Sequence, residues 1–210
     1  RFATELKQTQ YIAFAKIDYA KSLYDSNILM AKTLIDEALS ILSTCNEKRR
    51  ILDAQSEKCF INDILNRKIS YDDYSNISTE MANNHYIQSE IRIQLKIILL
   101  KLLYSDIQPS EIRNELDYVS INNTSIASGK RHQAYINHLY AASYYKENDI
   151  VMCRKYTKRS LNLMKEMGAS YKFVHNNNLL LSAYNGFATI NSLSNFSDIQ
   201  DVFVLDIRLW

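Results

Sequence analysis

The residues with the clearest potential for chemistry are an arginine and a histidine seven positions apart, Arg131 and His138, in the segment RHQAYINH. Seven residues make about two turns of an α-helix, so a helix places both side chains on one face. The two side chains could then act together on one substrate. Arginine and histidine recur often enough in 210 residues for chance to produce such a pair, and ordinary surface or groove residues are the alternative interpretation.

A cluster of cations in the last third of the chain is the second candidate site. It comprises Arg154, Lys155, Lys158, Arg159, Lys165 and Lys172, with Glu166 among them. Like charges four positions apart share a helix face and destabilise the helix slightly, which favours a purpose such as binding nucleic acid or an acidic partner. Few aromatic residues, Tyr156 and Tyr171, lie between the cations to stack on bases. A solvated outer face is the alternative.

Helices are the elements that must position these residues. The chain has three glycines and one proline, whereas average usage gives about 25 of the two together, and β-hairpins need such residues at their turns. Apolar residues at three-to-four-residue spacing predict helices at 5–25, 28–43, 51–66, 86–104, 131–147, 149–167 and 171–190, with another that starts at Pro109. The pattern is least regular over 71–84, and the polar segment 121–130 is expected to be a loop.

One predicted hairpin, YAASYYKENDIVMCRKYTKRSLNL, carries small and aromatic residues at a characteristic spacing. Ala141 precedes Tyr144 by three positions, Asn148 stands at the turn, and Cys153 and Ser160 follow it. The spacing resembles that of the tetratricopeptide repeat, in which small residues let two helices approach and an aromatic side chain fills the gap between them. Cys153 and Ser160 stand where that family usually has alanine.

Parts of the same pattern recur along the chain. Tyr24, Ala31 and Ala38 repeat it near the N-terminus, and Tyr184 lies 40 residues after Tyr144. The resemblance implies an all-α fold, a right-handed α-solenoid of stacked antiparallel helix hairpins, as in bacterial regulatory proteins with long repeats. We expect this domain to span 1–190 and an apolar segment, 191–210, to pack on it or lead into another element. Any antiparallel helical stack also needs small residues at close crossings, and this is the alternative.

The resemblance further implies a concave groove lined by the first helix of each repeat. The residues that it places there are Tyr135, His138, Ala142, Tyr145 and Lys146 in one repeat and His175, Asn178, Ser182 and Asn185 in the next. Asn178 and Asn185 lie two turns apart on a helix, and their side-chain amides could hold an extended backbone. This set suits a protein or peptide ligand. A groove without a ligand is the alternative.

Evidence for catalysis is confined to the Arg131–His138 pair. It resembles the loose Arg-to-His motif of helical ribonucleases of the HEPN family, which implies action at a dimer groove. GxGxxG, P-loop and HExxH patterns are missing from the sequence, so nucleotide cradling and metalloprotease chemistry have no support. The three cysteines stand far apart without a CxxC pair, which indicates neither zinc nor a disulfide framework. We therefore expect a protein that is not an enzyme and uses no cofactor or metal.

The net charge and the hydropathy of the sequence limit the classes of partner that we expect. A net charge of +2 is far from the strongly basic balance of a dedicated nucleic-acid binder. The longest apolar run, 97–104, is interrupted by Lys101 and is shorter than the roughly 18 residues of a membrane span. We predict a cytoplasmic fragment of a regulatory or sensory protein that binds another protein or a peptide. Self-association is a second mode, and nucleic acid ranks below both.

Overall fold

The computed structural model describes residues 2–24, 27–45, 47–122 and 129–167, and every regular element in these ranges is an α-helix. This confirms the all-α class. The described helices are α1 (Phe2–Ser22), α2 (Ile28–Leu42), α3 (Lys48–Asn66), α4 (Tyr71–Asn83), α5 (Ile87–Tyr104), α6 (Pro109–Asn122), α7 (Lys130–Lys146) and α8 (Ile150–Glu166). The predicted helix 171–190 and the segment 191–210 lie outside the described residues. No described helix is long and apolar enough to cross a membrane.

The helix α4 corrects the sequence prediction, which expected an irregular segment over 71–84. Its periodic signal is short because three residues, Tyr74, Ile77 and Met81, are the ones it buries. Their spacing of three and four positions still gives one apolar stripe. Asp72 and Asp73 in the first turn interact favourably with the positive end of the helix dipole. The helix α6 likewise runs two residues into the predicted loop 121–130.

The chain divides into two compact units, and the boundary between Ile93 and Gln94 falls inside α5. In the first unit, α1 packs against α2, α2 against α3, and α3 against α4. Four alanines at seven-residue spacing, Ala13 and Ala20 on α1 and Ala31 and Ala38 on α2, are fully buried. Because alanine adds little bulk, these positions let the two helix backbones approach closely.

Buried acids on α3 hold the first unit together. Glu57, which is 4% exposed, accepts a 2.6 Å hydrogen bond from the Tyr24 hydroxyl and pairs with Lys21 at 3.4 Å. Asp63 accepts hydrogen bonds from the Ser70 backbone N–H, at 3.0 Å, and from its hydroxyl, at 2.7 Å. A buried carboxylate is tolerated only with such partners. These contacts tie α3 to the end of α1 and to the start of α4.

Three helix ends use left-handed residues that are not glycine. Arg67, His85 and Asn148 have φ values of 49°, 58° and 63°. Each is followed by a residue whose N–H donates to a carbonyl five positions earlier, as Lys68 does to Asp63 at 3.1 Å. This is the Schellman arrangement, in which glycine is the usual residue at the left-handed position. The chain therefore ends these helices sharply despite its scarcity of glycine.

In the second unit, α6 packs against α7 and α7 against α8. The small residues Ala134 and Ala141 on α7 and Cys153 and Ser160 on α8 are at most 1% exposed. Ser160 Oγ donates a 2.8 Å hydrogen bond to the Ala134 carbonyl across the hairpin. Backbone and side chain therefore meet directly at the α7–α8 crossing.

Candidate binding surface

Three tyrosines from the two sides of the α7–α8 hairpin form a stacked group, here called the tyrosine cluster: Tyr140, Tyr144 and Tyr156. The Tyr156 ring lies 4.8 Å from that of Tyr140 and 5.4 Å from that of Tyr144, with interplanar angles of 20° and 15°. Tyr140 and Tyr144 are one turn apart on α7, and Tyr156 faces them from α8. All three are half-buried, so the cluster lies at the protein surface and not in the core.

Cations lie against the rings of this cluster. The Arg113 guanidinium, on α6, is 4.3 Å from the centroid of the Tyr144 ring and pairs with Glu147 at 2.9 Å. On α8, Arg159 and Lys155 lie 5.3 Å and 6.0 Å from the centroid of the Tyr156 ring. Each contact of this kind stabilises by about 0.5–1 kcal/mol at an exposed site. The rings thus restrict the positions of cations that would otherwise move freely in solvent.

Tyr140 is anchored to the neighbouring helix through its hydroxyl, which donates a hydrogen bond to Asp117 on α6. Burial, and then the hydrogen bond and charge of Asp117, raise the pKa of Tyr140 above its ordinary value. The hydroxyl therefore stays protonated at neutral pH and acts as a donor. The tyrosine cluster is fixed to α6 at one end by Tyr140 and at the other by the contact of Arg113 with Tyr144.

Three cations on α8 are exposed, and we call them the α8 cation row: Lys155, Lys158 and Arg159. Within the described ranges, none of the three forms an ion pair with an acid. Glu166, the acid that the sequence places among these cations, pairs with Lys130 of α7 at 2.9 Å. In the part of the chain that the structure describes, no acid neutralises the charge of this row.

The remaining members of the predicted basic cluster take other places. Arg154 is half-buried and has a contact within the protein. Lys165 lies on α8 with a side chain that the structure does not describe, and Lys172 lies outside the described residues. The cluster that the sequence suggests is thus reduced, in the described part of the chain, to the α8 cation row.

Most of the predicted groove residues on α7 are buried. Tyr135, His138 and Ala142 are 3%, 1% and 4% exposed, and the rings of Tyr135 and His138 stack with centroids 6.5 Å apart. Tyr145 and Lys146 are half-buried. This face of α7 therefore packs inside the protein and does not present an open surface. The other predicted groove residues, His175, Asn178, Ser182 and Asn185, lie outside the described part of the chain.

Lys146, at the C-terminal end of α7, contacts the end of α5. Its Nζ donates hydrogen bonds to the carbonyls of Leu102, at 3.3 Å, and Ser105, at 3.0 Å. A cation at a helix C-terminus satisfies carbonyls that have no partner in the helix, so Lys146 closes the end of α5. Burial lowers the pKa of Lys146. Burial, and then Cys153, raise the pKa of Tyr145 to about 12.

The described residues do not show Arg131 and His138 forming an accessible site. Both lie on α7, but the structure does not describe the Arg131 side chain. His138 is 1% exposed and has contacts within the protein. A substrate would have no direct access to this imidazole in the present conformation.

The described residues also form two clefts, one in each unit. One, of about 400 Å³, lies between α3 and α4 in the first unit and is lined by Gln55, Cys59, Asn62 and Asn76 among others. Its charged members are largely neutralised, since Lys58 pairs with Asp36 at 2.6 Å and Glu80 with Lys48 at 2.8 Å. The other cleft, of about 440 Å³, lies between α5 and α6 in the second unit and is mainly apolar. Neither cleft carries an un-neutralised charge row like that of α8.

Sequence reasoning missed the tyrosine cluster and the part of Arg113 in it. The available signal was the spacing of Tyr140 and Tyr144, which puts both rings on one face of α7. Tyr156 joins them only when the two helices are paired in the correct register. Arg113 is 31 residues from Tyr144, and nothing in the local sequence connects them.

No protein-family model, curated protein or solved structure matches the chain. The described residues contain no group of three or more histidine, cysteine or acidic side chains that could hold a metal ion.

Proposed function

We propose that the chain is a protein- or peptide-binding module of stacked helical hairpins and that it binds its partner on the α8 cation row. One observation carries this proposal. Lys155, Lys158 and Arg159 are exposed on one helix with no ion pair in the described residues, and the tyrosine cluster holds two of them in place. Adjacent cations create a local positive potential that attracts groups of opposite charge, so the row suits a partner that supplies the acids.

The tetratricopeptide-like reading stays part of the proposal. Its support is the burial of the small positions Ala141, Cys153 and Ser160 at the α7–α8 crossing. Ala31 and Ala38, at the same seven-residue spacing in α2, are buried as well. The right-handed solenoid and the place of the chain in a regulatory or sensory protein are proposed on the resemblance alone. So is the recognition role of Asn178 and Asn185.

The surface would bind mainly by electrostatic attraction. Cations held by neighbouring rings lose less rotamer freedom on binding than cations on flexible side chains, and that loss costs about 0.5–1.5 kcal/mol for each ordered side chain. The tyrosine hydroxyls and ring edges can add hydrogen bonds and apolar contact at the margin. A surface of this kind gives fast, salt-sensitive binding.

Affinity capture from an extract of the source cells tests the proposal with a matched pair of double variants. Lys158→Gln, Arg159→Gln removes two adjacent cations from the row, and Arg67→Gln, Lys68→Gln removes two adjacent exposed cations from the first unit. We expect a defined protein on wild-type and control beads that is lost from the row variant. Equal recovery on all three would contradict the proposal. Nuclease treatment of the extract separates a protein partner from one recovered through nucleic acid.

The ribonuclease alternative stays a prediction. The described structure offers no open arrangement of Arg131 and His138, as His138 is buried. Incubation of labelled RNA with wild-type protein and with a His138→Ala variant tests it directly. The proposal of a binding module expects no cleavage that depends on His138.

A further inference from the structure

We infer that the partner of the α8 cation row is an acidic peptide segment with two carboxylates about 6 Å apart. This inference rests on the proposed function and adds the chemistry of the ligand. Three features of the surface support it: the distance between the cations, the occupied faces of the tyrosine rings, and the way in which Arg159 is held.

The spacing of the cations sets the spacing of the acids. Lys155 and Arg159 are four residues apart on α8, which is about 6 Å along a helix that rises 1.5 Å per residue. Alternate residues of an extended chain are about 6.6 Å apart and point to the same side. Two acids at alternate positions can therefore reach both cations at once, with Lys158 between them in sequence.

The tyrosine cluster argues against a nucleic-acid ligand. Single-stranded nucleic acid is bound without sequence preference by rings that offer a face for bases to stack on. Here the ring of Tyr156 is stacked on those of Tyr140 and Tyr144, and Arg113 covers Tyr144. The ring faces are used within the protein.

Arg159 is the residue best placed to give the surface geometric selectivity. Its guanidinium lies 5.3 Å from the Tyr156 ring centroid, and a guanidinium near a ring still has N–H donors to offer a carboxylate. A carboxylate accepts two parallel hydrogen bonds from such a fork. Lysine at the same position would keep the charge but lose this fork.

The test uses synthetic peptides of defined charge, with binding measured by calorimetry or fluorescence anisotropy at low and physiological salt. One probe is an eight-residue peptide of alternating Ser and Glu. A second, ten residues long, carries the same four glutamates at every third position. A third replaces Glu by Gln in the eight-residue peptide, and an oligouridylate of eight nucleotides represents nucleic acid. The proteins are the full chain, its Lys158→Gln, Arg159→Gln variant, the Arg67→Gln, Lys68→Gln control and an Arg159→Lys variant.

We expect the alternating peptide to bind best and the Gln peptide not to bind. The row variant should lose about tenfold in affinity, since it removes two exposed ion pairs that are each worth up to about fivefold, whereas the control variant should lose less than about twofold. Arg159→Lys should weaken binding of the alternating peptide more than that of the wider-spaced peptide. Circular dichroism checks that each variant keeps the wild-type helix content.

Three results would overturn the inference. They are stronger binding of the RNA than of the alternating peptide, equal binding of the two glutamate spacings, and equal losses in the row and control variants. If the row variant loses its captured protein but no acidic peptide binds, the proposed function stands and the inferred ligand chemistry is wrong. If the peptide binds at the row but no protein is captured through it, the proposed function is what fails.

Discussion

At the scale of single residues, the hydrogen bond from Tyr24 to Glu57 is the clearest stabilising contact. It is 2.6 Å long and buried, and it satisfies a carboxylate that also pairs with Lys21 at 3.4 Å. Tyr24→Phe removes the donor and should lower the free energy of unfolding by about 1–3 kcal/mol. Urea denaturation measures this loss. Tyr19→Phe, at a residue 54% exposed, is the control and should change stability by less than about 0.5 kcal/mol.

The same tyrosine predicts how stability depends on alkaline pH. Burial, and then the charge of Glu57, raise the pKa of Tyr24 well above its ordinary value. Below about pH 10 the side chain is protonated in both folded and unfolded chains, and its contribution is complete. As pH rises further, the unfolded chain ionises first, so stability is lost.

This loss should be specific to Tyr24. The stability difference between wild type and Tyr24→Phe should shrink by up to about 1.4 kcal/mol per pH unit above pH 10. Denaturation series at several pH values between 9 and 11.5 measure the difference. A difference that stays constant over this range would contradict the assignment of the raised pKa to Tyr24.

A second residue-scale prediction concerns the left-handed turn after α3. Arg67 has φ 49° and an exposed side chain, so its side chain contributes little there while its Cβ opposes the backbone conformation. Arg67→Gly should raise the free energy of unfolding by about 0.5–1 kcal/mol. Arg67→Ala is the control: since alanine keeps the Cβ, it should give no gain. If both substitutions stabilise equally, the gain has another cause.

At the scale of elements, the α7–α8 hairpin depends on small residues at its crossing. Ala141 is 1% exposed in a tightly packed region, so Ala141→Leu should force the helices apart and lower stability by about 1–3 kcal/mol. Ala82→Leu, on the exposed side of α4, adds the same atoms where there is room. Thermal unfolding of the two variants compares them. Equal unfolding temperatures would contradict close packing at this crossing.

The helices differ in how well the sequence predicts them. Within the described residues, the long periodic segments match the predicted helices to within a few residues, because their apolar stripes repeat over several turns. The helix α4 was missed because its 13 residues bury only Tyr74, Ile77 and Met81. The buried acids of α3 could not be predicted, since Glu57 meets Tyr24 from 33 residues away and an acid in a helical pattern usually faces solvent.

At the scale of the whole molecule, acidic and basic residues are nearly equal in number, yet one helix carries a local positive charge. The net charge is +2, yet the α8 cation row is un-neutralised in the described residues. A net charge this small means that any basic surface is local, and the positions of the cations in the sequence predict that it lies on α8. What the sequence could not show was the tyrosine cluster, because its three rings come from two helices and meet only in the folded hairpin.

The groove expected from the family resemblance falls on a face of α7 that is largely buried in the structure. Spacing on α7 correctly puts Tyr135, His138 and Ala142 on one face, but that face is buried. A repeat pattern identifies which residues share a face and does not identify what covers it. Exposure and charge favour α8 as the candidate binding surface.

The most direct test of this account is site-specific photocrosslinking in cells. A photoreactive amino acid at Asn162, an exposed α8 position one turn from Lys158, leaves the α8 cation row intact, and the same group at the exposed Asn83 is the control. We predict a discrete protein adduct from position 162, none from position 83, and loss of the adduct when Lys158→Gln, Arg159→Gln is added. An adduct to nucleic acid at position 162, or equal protein adducts from both positions, would contradict the account.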